Sequence, residues 1–359
     1  MKRWLCGALA ALMALTTGCS AILNRDYTSV TPHSATPQAD GESNTIRVGS
    51  YQELVNALIY LIGRGTEGGA IRFDGGDSDE TAIQQMLDEA CLEVVQEDPL
   101  GAYAVEYIKY SVTPIVGSYE ANVQITYRRT REQVAAIVDA TGTAAIRSEL
   151  SEALSEFSSE VVLRISYFEE DSEYIRQLMR EAYLSNPASA LDFPDAQITM
   201  YPETGQRRIV EVLLTYHQSR QTLESRRNSL QREADRLLTQ AGVQEDVLSQ
   251  LVRLVRQTCS YQEGGGSTAY DALLEGTADS QGMALALSLL CQRTQPTVVD
   301  GQMNGVSHLW NVVQTAGGYR HVDLTQPGEP VFRTDQEMAA AGYTWDSERV
   351  PVCAAEEET

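Results

Sequence analysis

The chain has 359 residues, of which 43% are hydrophobic, so it is long enough for two or three domains with buried cores. Its formal net charge is −23, and a surface of that sign repels the phosphate backbones of nucleic acids. The composition therefore argues against a nucleic-acid partner.

The first 18 residues have the features of a bacterial export signal. Lys2 and Arg3 form a short positive region, and the apolar stretch of residues 4–15 is too short for a stable membrane span. The following LTTGCS resembles the lipobox of bacterial lipoproteins, in which the chain is cut before a cysteine that carries lipid. We predict a signal peptide over residues 1–18 and lipidation at Cys19. The alternative is an ordinary cleaved signal in which Cys19 is incidental.

The predicted lipid anchor determines the expected cellular location of the protein. Removal of Lys2 and Arg3 with the signal takes the net charge of the mature chain from −23 to −25, so its surface also repels anionic lipid head groups. Membrane attachment would then depend on the lipid at Cys19. Residues 19–44 are rich in Ser, Thr, Ala and Pro and lack periodicity, which predicts a flexible linker. The expected location is extracytoplasmic, lipid-anchored to a bacterial membrane.

Two similar segments follow the linker. ETAIQQMLDEAC (80–91) aligns with SEYIRQLMREAY (172–183), and in both the apolar residues fall on one helical face. Shorter matches are AIRF with VLRI (70–73, 162–165) and VQITYRRTREQV with VLLTYHQSRQTL (123–134, 212–223). The pattern predicts two αβαββ repeats, over residues 45–140 and 141–235, each followed by a helix.

The repeats contain two residue types that often carry chemistry. Cys91 lies on the apolar helical face where the second segment has Tyr183, so packing explains it. His217 follows a predicted strand at the position that Arg128 has in the first segment. We interpret both as structural. Because no acid, base and nucleophile cluster together here, the predicted role of the repeats is spacing and packing, with a binding role left open.

The pattern changes in the last third of the chain. VLSQLVRLVRQTCSY (247–261) predicts an amphipathic helix, and the glycine-rich EGGGSTAY after it lacks the GxxxxGK[ST] spacing of a phosphate loop. MALALSLLC (283–291) predicts a buried helix. SHLWNVVQ (307–314) and YRHVDLT (319–325) alternate as strands around a GG turn. The elements predict an α+β fold.

Three motifs of this region resemble the transglutaminase-like superfamily. AYDALLEGTADSQGMA, HLWNVV and HVDLTQ are similar to the family patterns AY.AL..G...C.GYA, HAWN.V and HVD.TW. The tail VFRTDQEMAAAGYTWDSERVPVC (331–353) also resembles bacterial members. The resemblance covers about residues 240–353. It implies a papain-like α+β fold for residues 236–359, in which a helix carrying the nucleophile packs on an antiparallel sheet.

The resemblance also implies the site. Active members use a Cys–His–Asp triad, in which a thiolate at a helix N-terminus pairs with an imidazole that a carboxylate orients. By position, His308 and Asp323 correspond to the histidine and the aspartate, and Ser280 stands where the family has cysteine. The triad is therefore either vestigial or converted to Ser–His–Asp.

Several features argue against catalysis at Ser280. An alkoxide is harder to form than a thiolate and needs an aligned base at the moment of attack. Asp279 places a further carboxylate beside the serine, and Met283 and Gln326 replace aromatic residues of the family pattern. The sequence therefore favours a pseudoenzyme whose cleft binds a peptide, protein or cell-wall ligand.

Two other interpretations remain. One is an active Ser–His–Asp triad, made of Ser280, His308 and Asp323. It would belong to a hydrolase or acyltransferase that acts on peptide amide or ester bonds. ADSQG also resembles a GxSxG nucleophile elbow, although no strand is predicted before it and the order Ser, His, Asp differs from that of α/β-hydrolases. The third interpretation is a structural spacer.

No other cysteine is expected to replace the missing thiol, and no metal site is expected. Cys291 is eleven residues after Ser280 and so about 16 Å further along a helix, and neither Cys259 nor Cys353 lies in a matching motif. The histidines are scattered, and no ligand spacing indicates a metal or other cofactor. Disulfide pairing is not assigned.

Overall fold

A computed structural model of the chain describes residues 45–74, 79–241, 247–291, 294 and 296–355. The predicted signal peptide (1–18), the lipidation site Cys19 and the linker (19–44) lie outside the described residues. No helix of the described part is both long and apolar enough to cross a bilayer. The fold is α+β, as predicted, and its strands form three four-stranded sheets and one two-stranded pair.

The first sheet and its helices form the first module, residues 45–136. Its elements are β1 (Ile46–Val48), α1 (Tyr51–Gly63), β2 (Gly68–Phe73), α2 (Glu80–Gln96), α3 (Pro99–Ala104), β3 (Val105–Ile115), β4 (Ser118–Tyr127) and α4 (Arg131–Ala135). The strand order is β1-β2-β4-β3. Strand β1 is parallel to β2, and the other pairs are antiparallel.

The second sheet and its helices form the second module, residues 138–241. Its elements are β5 (Val138–Ala140), α5 (Gly142–Ser155), β6 (Glu160–Ser166), α6 (Ser172–Leu184), β7 (Asp195–Tyr201), β8 (Arg207–Thr215) and α7 (Arg220–Ala241). The strand order is β5-β6-β8-β7. Strand β5 is parallel to β6, and the other pairs are antiparallel.

The two modules therefore have the same strand order and the same strand directions. Asp79 and Asp171 cap α2 and α6 alike, because each carboxylate accepts a backbone N–H from the first turn of its helix. Each sheet also contains a three-residue strand, β1 or β5, that is missing from the predicted αβαββ pattern. A segment so short shows no alternation of apolar and polar residues from which a strand could be predicted. The helices after the sheets differ, with five residues in α4 and 22 in α7. The internal repeat stays a prediction.

The remaining elements form the C-terminal module, residues 247–355. They are α8 (Val247–Thr258), β9 (Ser260–Tyr261), a π-helical turn (Asp271–Glu275), β10 (Thr277–Ala278), α9 (Ser280–Leu290), β11 (Thr297–Met303), β12 (Val306–Thr315), β13 (Gly318–Val322), α10 (Asp335–Ala340), β14 (Tyr343–Thr344) and a 3-10 turn (Ser347–Arg349). The main sheet has the antiparallel order β13-β12-β11-β14. The two-residue β10 directly precedes Asp279, so LLEGTA does contain a short strand.

Strand β12 is buried on both faces, so the alternation predicted for residues 307–314 is wrong. Every residue from 308 to 313 is buried. One face packs on α9, and the other carries Trp310 into a cluster with Tyr343 and Trp345. Because those aromatic residues come from a distant part of the chain, the local pattern contains no sign of the second covering layer.

One hydrophobic core joins the second and C-terminal modules. This single cluster contains buried residues from both modules, the first of them Ala140 and the last Leu324, and includes residues of α7, α8 and α9. The first module has its own core, to which the second contributes Val162 and Ile209. The predicted boundary at residues 235/236 lies inside α7, where Ala234 and Leu237 are buried in the shared core.

Ion pairs add to these contacts. Arg129 of the first module and Glu211 of the second form a largely buried pair with an N–O distance of 2.7 Å. Arg180 on α6 reaches across to Asp300 on β11, with an N–O distance of 2.9 Å. The same guanidinium donates to Oε1 of Gln281 over 2.6 Å, in the first turn of α9. The second module therefore holds the start of α9 directly.

The first turn of α9 packs tightly against the glycine-rich loop that precedes it. A Cβ atom on Gly282 would lie 2.8 Å from the Cβ of Ala278 and 2.8 Å from the carbonyl oxygen of Gly266. Real Cβ atoms do not approach other atoms so closely, because both contacts involve backbone or near-backbone atoms that cannot turn away. Only glycine at this position allows the loop to contact the helix.

We predict that Gly282→Ala lowers the free energy of unfolding by about 1–3 kcal/mol through overpacking, although alanine is the better helix former. Gly63→Ala is the matched control, since Gly63 ends α1 and its Cβ would meet only Leu100, at 3.8 Å. That control is expected to be neutral or stabilising. Urea denaturation measures both variants, and equal effects would contradict the argument.

Candidate functional site

Helix α9 begins with a side-chain cap at Asp279. Its Oδ1 accepts the backbone N–H of Gly282 over 2.9 Å, and its Oδ2 accepts the hydroxyl of Ser267 over 2.5 Å. A carboxylate at this end of a helix also interacts favourably with the helix dipole. Sequence reasoning treated Asp279 only as an unfavourable charge. An aspartate directly before an apolar helix is an N-cap signal that would have identified this role.

Ser280 is the first residue of α9, and its side chain joins the helix to the sheet. The residue is 9% exposed. Its Oγ accepts the backbone N–H of Leu309 on β12 over 3.2 Å. Within the described residues, no hydrogen bond joins Ser280 to His308. The hydroxyl at the family's cysteine position is therefore an acceptor for the sheet backbone.

His308 and Asp323 are brought together as the triad motif predicts. His308 Nε2 lies 2.8 Å from Asp323 Oδ2, and both residues are buried. The carboxylate has three further donors. Its Oδ1 accepts the backbone N–H of Thr325 over 2.9 Å, and its Oδ2 accepts the hydroxyl of Tyr343 over 2.6 Å and the amide of Gln326 over 3.2 Å. These bonds hold the carboxylate in one orientation.

The same donors set the charge of Asp323. Burial opposes ionisation, but the hydrogen bonds from His308, Tyr343 and Thr325 outweigh it, so the pKa of Asp323 is lowered. Burial and the bond to Asp323 raise the pKa of the Tyr343 hydroxyl, which stays a neutral donor. Because an ionised carboxylate only accepts hydrogen bonds, Nε2 of His308 carries a proton and donates it to Asp323.

The geometry therefore contains one of the two contacts that a triad needs. The contact between the base and its orienting carboxylate is present, between His308 and Asp323. The contact between nucleophile and base is not seen within the described residues, where Ser280 Oγ accepts the N–H of Leu309 and makes no hydrogen bond to His308. Activation of a hydroxyl requires a base within hydrogen-bond reach. In this geometry Asp323 orients the imidazole of His308, and no hydrogen bond within the described residues links that imidazole to Ser280.

A second polar chain lies beside the first, and sequence reasoning missed it. Trp310 Nε1 donates to His321 Nδ1 over 2.8 Å, and His321 Nε2 lies 2.8 Å from Asp335 Oδ1. Asp335 Oδ2 accepts the backbone N–H of Cys353 over 3.0 Å. His321 is fully buried, and its ring packs against Trp345 with centroids 4.7 Å apart. The three side chains come from positions too far apart for any sequence spacing to indicate them.

His321, Asp335 and Cys353 place one potential metal ligand each within 4.8 Å of one another. Their hydrogen bonds fit a metal poorly. Because His321 Nδ1 accepts the indole N–H, its Nε2 carries the ring proton and has no lone pair to offer. Burial lowers the pKa of His321 and raises that of the Cys353 thiol to about 12, so the thiolate that metals prefer is disfavoured. A satisfied hydrogen-bond network accounts for the cluster.

Other groups considered from the sequence lie elsewhere. Four cysteines of the described part are buried and free: Cys91, Cys259, Cys291 and Cys353. Burial raises their pKa values to about 12, 11, 12 and 12, so none provides a thiolate. Cys291 lies at the opposite end of α9 from Ser280. His217 is exposed on the second module, with Nδ1 2.8 Å from Asp192 Oδ1.

Comparisons with known proteins add little to this geometry. No family model matches the chain, and no curated protein matches it. One matching solved structure is described as "Crystal structure of a TGase", with 13% sequence identity and a TM-score of 0.27. The match covers 55% of this chain and 61% of that one. A likeness this weak does not establish a shared fold, so the transglutaminase resemblance depends on the motifs.

We predict that Tyr343→Phe lowers the free energy of unfolding by about 1.5–3 kcal/mol at pH 7, because Asp323 loses a donor to its charge. A carboxyl whose pKa is lowered on folding contributes stability above its unfolded pKa of about 3.9, and the contribution is lost as the pH falls through its folded pKa. The cost of Tyr343→Phe should therefore shrink as the pH falls below about 4.

Urea denaturation at pH 7 and at low pH measures this effect. Tyr319→Phe is the matched control, because Tyr319 on β13 is exposed and its hydroxyl makes no hydrogen bond within the described part. Equal losses in the two variants, or a loss for Tyr343→Phe that does not change with pH, would contradict the assignment.

Proposed function

We propose that the protein is a lipid-anchored extracytoplasmic protein whose C-terminal module is a transglutaminase-like pseudoenzyme. The module binds a peptide, protein or cell-wall ligand and does not cleave or transfer it. The observation that carries the proposal is the bond from Leu309 N–H to Ser280 Oγ, in a buried position, with no bond from Ser280 to His308. The motif resemblance supports the proposed family, and this bond supports the proposed inactivity.

The surroundings of the site support the same conclusion. Gln326 stands where the family motif has tryptophan, and its amide donates to Asp323 and Thr325 over 3.2 and 3.4 Å. The polar atoms around His308 are therefore largely satisfied by the chain itself. A hydroxyl that must attack a carbonyl needs an approach for the substrate and a base within hydrogen-bond reach; Ser280 is 9% exposed, and no hydrogen bond joins it to His308 within the described residues.

One observation favours a second candidate, an active Ser–His–Asp hydrolase or acyltransferase for amide or ester bonds. His308 is held by Asp323 as a base should be, and its Nδ1 forms no hydrogen bond among the described residues. A change in the Ser280 side-chain rotamer that released Leu309 is what this candidate requires. The two candidates differ in whether the hydroxyl becomes reactive, which is measurable.

The test is covalent labelling of the purified full-length protein with a fluorophosphonate, with the labelled peptide located by mass spectrometry. We expect no label at Ser280, because its Oγ has no base. His308→Ala is the comparison variant. Label at Ser280 that disappears in His308→Ala would establish an activated serine, and the pseudoenzyme proposal would then be withdrawn.

The structural role of Ser280 is tested separately, by measuring the free energy of unfolding. Ser280→Ala leaves the N–H of Leu309 without its side-chain acceptor, so it should lower the free energy of unfolding by about 1–3 kcal/mol. Ser225→Ala on the exposed face of α7 is the control and should have no such effect. Equal stabilities of the two variants would argue against the joining role.

The lipid anchor is tested separately, by feeding an alkyne fatty acid to bacteria that express the full chain. We expect label on the N-terminal peptide that begins at Cys19, and its loss in Cys19→Ala. Cys6→Ala is the matched control, since Cys6 belongs to the predicted signal and is removed with it. An unlabelled mature protein cut elsewhere would favour the ordinary signal peptide.

A further inference from the structure

A large open groove lies between the first and second modules. It encloses 1620 Å³, more than the roughly 300–1000 Å³ of a typical small-molecule site. Four arginines line it, Arg64 and Arg131 from the first module and Arg164 and Arg207 from the second. All four are exposed. None of the residues lining the groove belongs to the candidate site around Ser280.

The charge of the groove is opposite to that of the chain. The whole sequence has 27 basic and 50 acidic residues. The lining has four arginines but only two acids, Glu97 and Asp98. Asp98 Oδ1 accepts the backbone N–H groups of Leu100 and Gly101 at the start of α3, and the charges of Arg207 and Arg164 also act on this carboxyl. The groove is therefore a locally positive surface in a strongly acidic protein.

The arginines are not held by salt bridges that would explain them. Arg131 and Arg207 make no side-chain hydrogen bond or close ion pair among the described residues, but the charge of Arg207 acts on Asp98 and that of Arg131 on Glu132. Arg64 donates to the hydroxyl of Tyr60 over 2.9 Å. Arg164 contacts Asp139 over 3.3 Å, but both groups are exposed, and surface pairs of this kind contribute about 0–1 kcal/mol. The guanidinium groups of the four arginines therefore remain available to bind an anion.

The rest of the lining suits phosphate oxygens. Ser166 and Thr204 place hydroxyl groups beside the arginines. Tyr167 is 73% exposed and has a left-handed backbone with φ of 59°, a conformation that is strained for a bulky residue. Guanidinium forks bind phosphate in a bidentate manner, and hydroxyl donors complete such sites. Two arginines on each side favour an anion that extends across the groove.

We propose that this groove binds a small oligoanion carrying two or more phosphate groups, such as an oligophosphate, held between the arginines of the two modules. A single phosphate would reach only part of the set, so affinity should rise with the number of phosphates. Because the contacts are exposed ion pairs, binding should also weaken as salt increases.

The test is titration calorimetry of the full-length protein with inorganic tripolyphosphate, at low and at physiological salt. We expect one site, with affinity at least tenfold higher than for orthophosphate or citrate. Arg131→Gln/Arg207→Gln should lose at least tenfold in affinity. Arg220→Gln/Arg236→Gln, with the same charge change on the exposed face of α7, should stay within twofold of the unchanged protein.

A charge-conserving variant, Arg131→Lys/Arg207→Lys, should have intermediate affinity because it keeps the charge and loses the forks. Thermal melts check that each variant is folded. The proposal is overturned by absence of tripolyphosphate binding, by equal losses in the two glutamine double variants, or by citrate binding as tightly. Binding to phosphatidylglycerol vesicles without binding to soluble tripolyphosphate would also overturn it, because the groove would then serve a membrane surface.

Discussion

The contact between α9 and β12 determines the properties of the candidate site. At its start, Leu309 donates its backbone N–H to Ser280, and further along the buried amide of Asn311 donates to Ala284 O and Ser288 Oγ, over 3.1 Å each. A buried backbone N–H without an acceptor is strongly unfavourable, so the sheet depends on the serine. The hydroxyl is thus tied to the sheet backbone, and within the described residues no hydrogen bond connects it to His308.

The residue before the serine follows the same logic. In a thiolate site the positive end of the helix stabilises the nucleophile. Here the carboxylate of Asp279 occupies that end and accepts the N–H of Gly282. Serine suits its own position because a hydroxyl oxygen is a better hydrogen-bond acceptor than sulfur. Two adjacent residues thus serve the integrity of the helix, while the His308–Asp323 pair keeps the geometry of a base.

The sequence contained enough to predict the α+β class, the helix after Asp279 and the strands that bring His308 to Asp323, because each depends on local periodicity or on a short motif. It did not predict β1 or β5, whose three residues are too few to alternate. The domain boundary predicted at residues 235/236 lies inside α7, because the apolar face of a helix does not indicate which module it will pack against. The pairing of His321 with Asp335 depends on the fold alone. Asp279 is different, because its capping role was legible from its position.

The unpaired, buried state of the cysteines has a consequence for the conditions in which this fold can exist. The described part contains four cysteines, all buried and free, and the position where a thiolate would be expected has serine. Oxidants act on accessible thiolates, which proceed through sulfenic acid to irreversible products. With Ser280 at the helix start, the site offers no such target. Within the described part, therefore, the fold is held without a disulfide, and each of its cysteines is shielded from oxidants by burial.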